Sequence, residues 1–268
     1  MSKVKSYAAL QADKPLHPHD INRRDINPDD VNIDILYCGV CHSDIHMARN
    51  EWNNTSIYPM VPGHEIIGIV KEVGSSVTKF KVGDNVGVGV YVDACEKCDN
   101  CNSGKDHYCE EGIVLTYNSY EYGTRNITYG GYSKRIVVKE NYVIKVPSEM
   151  DMKKAAPLLC AGITTYSPLR HFKINSNHKV GIAGLGGLGH MGLKFASSFG
   201  ADVVVFSTSD SKKDEAFEMG ANHFVNVNNS KDVRKHMNSC DYILDTVSAN
   251  RDMACLLYTS DAADEIVR

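Results

Sequence analysis

Neither sign of charge is in excess in this 268-residue sequence: 29 Lys and Arg stand against 33 Asp and Glu, a formal net charge of −4. The basic residues gather into no stripe, so nucleic acid is not an expected partner. No apolar run approaches the length of a membrane span, and no membrane role is expected. The opening residues, MSKVKSYAALQADKP, lack the apolar stretch of a secretory signal. No internal repeat and no low-complexity segment is present. What remains is a chain with 43% hydrophobic residues, enough for a sizeable core, and a length that predicts one or two domains. Its nine cysteines are odd in number and mostly clustered. That pattern suits a reducing compartment, and a cytoplasmic location is expected.

Four of those cysteines, Cys95, Cys98, Cys101 and Cys109, follow the spacing C-x2-C-x2-C-x7-C. The spacing brings four soft thiolates within reach of one point, as a tetrahedral structural zinc site requires. The intervening residues, among them Glu96, Lys97, Asp99, Asn100 and Gly104, are polar or turn-forming and offer no core to bury free thiols. Four thiolates fill the coordination shell, so this lobe is expected to stabilise rather than catalyse.

The pattern of the chain changes near residue 150. Before it, short strand-like runs alternate with turns: 31–38, 65–73, 85–92 and 132–146. These predict a β-barrel or sandwich-like unit over residues 1–150. After it, strand and helix alternate. Strands are expected at 179–183, 202–206, 223–227 and 241–245, and helices at 189–199 and 212–219. Residues 151–268 therefore read as a doubly wound parallel sheet. Only four strands are evident where a full dinucleotide fold has six, so this half is expected to be incomplete, and residues from about Cys255 onward are expected not to be native to it.

Gly184, Leu185, Gly186, Gly187, Leu188 and Gly189 follow the first strand of that half and open its first helix. In this context the G-x-G-x-x-G pattern predicts a dinucleotide site, with the pyrophosphate at the positive end of the helix. The second strand ends on schedule, about 20 residues on. Where an NAD-binding fold carries an acid for the ribose hydroxyl, this chain has Ser207, followed by Thr208, Ser209 and Lys212. Hydroxyls and an ammonium favour a 2′-phosphate, so NADP is expected.

Other segments add Cys41 in CGVCHSD (38–44), His64 in PGHE (62–65) and Cys160 in AAPLLCAG (155–162). Singly, none of these residues would argue for a metal. Together with GGYS (130–133), GLGGLGHMG (184–192) and DYILDTV (241–247), they give the chain its family likeness. It resembles the zinc-dependent medium-chain alcohol dehydrogenases, most closely the cinnamyl-alcohol-dehydrogenase-like branch, from about residue 30 to 250. The resemblance implies a GroES-like barrel followed by a Rossmann domain. It implies two zinc ions per chain, the second held by Cys41, His64 and Cys160, the two-cysteine, one-histidine set known for the alcohol dehydrogenase zinc.

The resemblance further assigns Asp44 and Glu65 to the shell behind these ligands, and a proton path to Ser43 and His46. Thr164, Thr246 and Val247 match cofactor-lining positions. The implied activity is interconversion of a primary alcohol and its aldehyde by hydride transfer with NADP(H). Homodimers are the rule implied for complete members, and an unfinished sheet puts dimerisation of this chain in doubt. Two other readings remain: a weak or inactive fragment of such an enzyme, and an NAD-dependent polyol dehydrogenase, which Ser207 disfavours.

Overall fold

The computed structural model describes residues 1–124 and 126–248. The expectation about the chain from Cys255 onward, and the question of a fifth strand, lie outside the described residues. The backbone forms two compact units that divide at Cys160 and Ala161.

In the first unit, β1 (Ser2–Ala8) and β2 (His17–Arg23) form an antiparallel hairpin. The main sheet is antiparallel, in the order β8-β3-β4-β5-β9. Its strands are β3 (Asp30–Cys38), β4 (Ile66–Val73), β5 (Asn85–Val88), β8 (Arg135–Lys139) and β9 (Val143–Lys145). Val31, Ile33, Ile66, Val70, Val86, Val88, Ile136 and Val138 bury one face of it around Phe80. Register shifts between Asn32 and Ile33 and between Ile35 and Tyr37 bend β3, as bulges do, and the sheet curls. Two of the runs read from the sequence, 85–92 and 132–146, are each broken. The first becomes β5 and β6 (Tyr91–Asp93), which pairs with β7 (Val114–Leu115). The second is split by a helical turn at Glu140–Tyr142.

The unit extends past residue 150 because α3 (Met152–Ala155) and the turn after it bury Ala155, Ala156 and Leu159 against Ile67 and Val146. Two short helices complete it: α1 (His42–Ala48), directly after β3, and α2 (Asp99–Asn102), within the cysteine lobe.

The second unit holds a parallel sheet in the order β12-β11-β10-β13. Its strands are β10 (Lys179–Ala183), β11 (Asp202–Ser207), β12 (His223–Asn226) and β13 (Tyr242–Asp245). Val203, Val204, Val205 and Phe206 are buried, as a strand covered on both faces requires. Helix α5 (Gly187–Ser198) packs Leu193 and Ala196 onto β10 and β11 and against α4 (Ala161–His171). Helices α6 (Lys213–Glu218) and α7 (Ser230–Lys235) make the later crossovers. Neither α4 nor α7 is apparent in the sequence pattern. Each is short, and α4 carries Pro168 and three threonine or serine residues that blur its periodicity.

Candidate active site

The first unit gathers two groups of metal-capable side chains. In the lobe, the ligand atoms of Cys95, Cys98, Cys101 and Cys109 all lie within 4.8 Å of one another. The Cys95 and Cys101 sulfurs are 3.8 Å apart. Backbone N–H groups aim at the sulfurs: Cys98 N at Cys95 Sγ and Cys95 N at Cys109 Sγ, both at 3.4 Å. The bond from Cys95 N leads in lowering the Cys109 thiol to about 6, against burial. Such donors favour thiolate, the form that binds zinc. Glu96, at φ 57°, supplies the left-handed turn that reverses the chain inside the loop.

The second group is assembled from three segments. Cys41, His64, Glu65 and Cys160 place their ligand atoms within 4.8 Å of one another. Cys41 caps α1, His64 and Glu65 lead into β4, and Cys160 ends the turn after α3. The Cys41 and Cys160 sulfurs are 3.8 Å apart. Contact with Cys160 is the main force lowering Cys41, to about 3; burial opposes it and His64 assists. Cys160 is pushed in the opposite direction, first by Cys41 and then by burial. Burial alone would lower His64, but Asp44 and Cys41 outweigh it and raise the ring to about 10. These contacts favour the thiolate form of Cys41, the form that binds a metal.

Glu65, expected behind the ligands, has a carboxylate oxygen within 4.8 Å of the other three donor atoms. Gly39 makes the room, since a Cβ there would lie 1.8 Å from Glu65 Oε2. Burial, then the Cys41 charge, pushes the Glu65 carboxyl up to about 7.

Asp44 stands behind the donors and is buried. As the third residue of α1, it accepts from Cys41 N at 2.9 Å, closing a capping box. The same carboxylate accepts from Gly63 N at 2.9 Å and meets His64 Nδ1 at 3.0 Å. With Nδ1 turned to Asp44, Nε2 is the ring atom left for a metal.

Ser43 Oγ lies 3.6 Å from Cys41 Sγ, beside the cluster. His46 is stacked between His42 and Trp52, with ring centroids at 5.6 and 5.4 Å, and its Nδ1 meets Glu51 Oε2 at 2.5 Å. Glu51 carried no motif signal, but an acid five residues beyond a histidine proposed for proton transfer was the available clue. Cys38 is a packing residue whose thiol burial pushes up to about 12.

In the second unit, Gly184 takes φ 83° at the end of β10, turning the chain into α5. A Cβ on Gly189 would stand 1.9 Å from Gly184 O, so only glycine lets the helix pack this close to the strand. At Gly186 and Gly187 a Cβ would meet nothing within 4 Å. Open space therefore stands over the loop at the helix N-terminus, as a pyrophosphate needs. Leu185 is buried and Leu188 half-buried. Thr246 Oγ1 donates to Ala183 O at 2.8 Å, and Val247 packs against Gly184. Lys212 reaches across from the end of β11, its Nζ 2.7 Å from Leu185 O. Ser207 is occupied locally, exchanging hydrogen bonds with Ser209 N and O at 3.3 and 3.2 Å. Thr208 and Ser209 are exposed beside it, and Thr164 is exposed on α4.

Residues 27–148 match the model of the alcohol dehydrogenase GroES-like domain, and residues 187–265 that of the zinc-binding dehydrogenases. The chain belongs to the zinc-binding alcohol dehydrogenases. It is 51% identical to NADP-dependent alcohol dehydrogenase C 1 of Mycolicibacterium smegmatis, over 96% of this chain and 73% of that protein. It is 49% identical to aldehyde reductase YahK of Escherichia coli, over 94% of this chain and 72% of that protein. Among solved structures, a cinnamyl alcohol dehydrogenase of Sorghum bicolor superposes with a TM-score of 0.93 at 41% identity, covering 97% of this chain and 74% of that one. The Helicobacter pylori enzyme complexed with NADP(H) gives 0.88 at 45% identity, covering 95% and 72%. Membership in this family accounts for the combination of a curled, metal-capable unit and a dinucleotide-type sheet. Among the described residues, no helix is long and apolar enough to cross a membrane.

Proposed function

We propose that this dehydrogenase interconverts a primary alcohol and its aldehyde, using zinc at Cys41, His64 and Cys160 and NADP(H) at the glycine loop. The observation that carries this reading is the convergence of two thiols, an imidazole and a carboxylate from three separate segments within 4.8 Å. Two sulfurs and a ring nitrogen suit zinc, and the open space over Gly186 and Gly187 suits a pyrophosphate. When bound, zinc supplies a Lewis acid for the substrate oxygen and NADP supplies the hydride acceptor.

The chain's own residues do the remaining work. Asp44 fixes the His64 ring and its tautomer. Ser43, beside the donor cluster, would accept the proton of the substrate hydroxyl while passing on its own, by way of the bound cofactor's ribose hydroxyls, to His46, which would release one proton to solvent. Glu51 and the flanking His42 and Trp52 rings hold His46 for that task. Lys212, Thr208 and Ser209 hold the 2′-phosphate, while Ser207 shapes the turn that presents them. The four-cysteine lobe takes a second, structural zinc. The many thiols of both sites require a reducing compartment, consistent with the cytoplasm.

The test is NADPH oxidation in the presence of an aromatic aldehyde, comparing zinc-loaded and chelated protein. Turnover in the loaded sample alone is expected. Absence of turnover in folded, loaded protein would refute the assignment. Ser207→Asp places a carboxylate where the 2′-phosphate sits and is expected to shift the NADPH-to-NADH preference about 10- to 100-fold toward NADH.

A further inference from the structure

The GGYS segment supplies no ligand, yet it lies directly on the turn that carries His64. The N–H groups of Gly130, Gly131 and Tyr132 donate to the carbonyls of Val61, Gly63 and Pro62 at 2.7, 2.8 and 3.0 Å. Side chains would forbid this approach: a Cβ on Gly130 would stand 2.4 Å from Gly63 O, and one on Gly131 2.6 Å from Cys38 Sγ. Arg23 fixes the segment from its other side. Its buried guanidinium donates to the carbonyls of Tyr129, Gly130 and Arg135 at 2.6, 3.0 and 3.0 Å and to Ser133 Oγ at 2.9 Å.

This placement brings one further polar atom to the metal site. Tyr132 OH donates to Asp44 Oδ2 at 3.2 Å. Each Asp44 oxygen then has two partners: Gly63 N and His64 Nδ1 on Oδ1, Cys41 N and Tyr132 OH on Oδ2. Four such donors hold the carboxylate against rotation. Without the Tyr132 phenol, Oδ2 keeps the bond from Cys41 N, with Tyr117 the other phenol beside the carboxylate, and the group turns more freely relative to the His64 ring.

We infer that Tyr132 is a positioning residue for the metal site, its hydroxyl acting through Asp44 to set the orientation of His64 and so the hold on zinc. The inference rests on the zinc reading given above. It assigns the GGYS segment a purpose: two glycines allow the close approach, and the tyrosine completes the shell behind the histidine.

The test is Tyr132→Phe, which removes the hydroxyl and keeps the ring that packs against the cluster of Val4, Ala8, Ile21 and Val61. Wild type and variant are loaded with zinc and challenged with a chromogenic chelator, and release of the two ions is followed. The four-cysteine lobe serves as an internal standard. Y132F is expected to release the ion of the His64 site about 10-fold more readily, with release from the lobe unchanged. In cobalt-loaded protein, the absorption bands of that site are expected to shift. Ser133→Ala removes one of the Arg23 contacts of the same segment but leaves the Tyr132 hydroxyl on Asp44, and is expected to change release from the His64 site less than Y132F does. Identical release by Y132F and wild type would overturn the inference, as would faster release of both ions together or an equal effect of S133A. If wild type itself retains only the lobe ion, the zinc reading of the site fails and takes this inference with it. Two retained ions with Y132F unchanged would remove this inference alone.

Discussion

The lobe draws its four thiols from one loop, with Cys95 and Cys109 only 14 residues apart. The other site draws on three segments, with Cys41 and Cys160 separated by 119 residues. In the lobe, four like donors surround the point and local backbone N–H groups tune them. In the other, the donors are unlike and a buried carboxylate stands behind one of them. The lobe needs only its own loop to form, whereas the second site needs the folded sheet, α1 and the turn after α3. The first geometry therefore suits a staple, and the second suits chemistry that depends on orientation.

Four experiments press on that contrast. The largest effect is expected from Cys160→Ser, which removes a proposed ligand of the scattered site. The loss of several kcal/mol of Lewis-acid stabilisation corresponds to about a thousandfold fall in kcat or more. Its thermal midpoint is expected to stay close to wild type; a collapse of stability equal to that of a lobe variant would erase the distinction. Cys101→Ser addresses the converse. Metal binding at such a site is folding free energy, so the lobe is expected to lose several kcal/mol and become protease-sensitive. Turnover per folded molecule is expected to persist. A variant as stable as wild type would show that the lobe is no staple.

Asp44→Asn comes next. The amide keeps the size but turns one of the two oxygens into a donor, which then faces the N–H of either Cys41 or Gly63. Zinc retention at the His64 site is expected to fall about 10- to 100-fold, with the lobe unaffected, as measured by competition with a chelator. The smallest effect concerns pH. With metal removed, Cys41 sits at about 3, well below an ordinary thiol. A lowered value means the thiolate persists as pH falls, until acid near that value. Alkylation of Cys41 in metal-free protein is therefore expected to be nearly flat from about pH 5 to about pH 8. A tenfold rise per pH unit across that range would show that the Cys160 and His64 contacts do not hold the thiolate.

Legibility in the sequence follows the same division. The lobe is written in a spacing, and it can be read because its geometry is local. The strands of the second unit are similarly plain, since the Val203–Phe206 run and the glycine loop carry their own signals. Cys41, His64 and Cys160 are different. No spacing joins them, and only likeness to a family selects them before the fold is seen. The closeness of Glu65 to the donors depends on the space beside Gly39, which no sequence rule reports. Glu51 and Tyr132 stayed hidden because each acts through a partner that tertiary structure brings to it. The β1–β2 hairpin was missed as well; its strands are half charged or polar, and its pairing is set by Val4 and Ile21 packing on Val61.

The separation of Cys41 from Cys160 also sets a sequence of events during synthesis. The lobe's last cysteine leaves the ribosome well before Cys160, so one ion can be captured while the other site still lacks a ligand. Chain closure favours the same order: joining ends 119 residues apart costs about 2 kcal/mol more than joining ends 14 apart. If both sites take zinc, a nascent chain in scarce metal would thus fill the lobe before the scattered site.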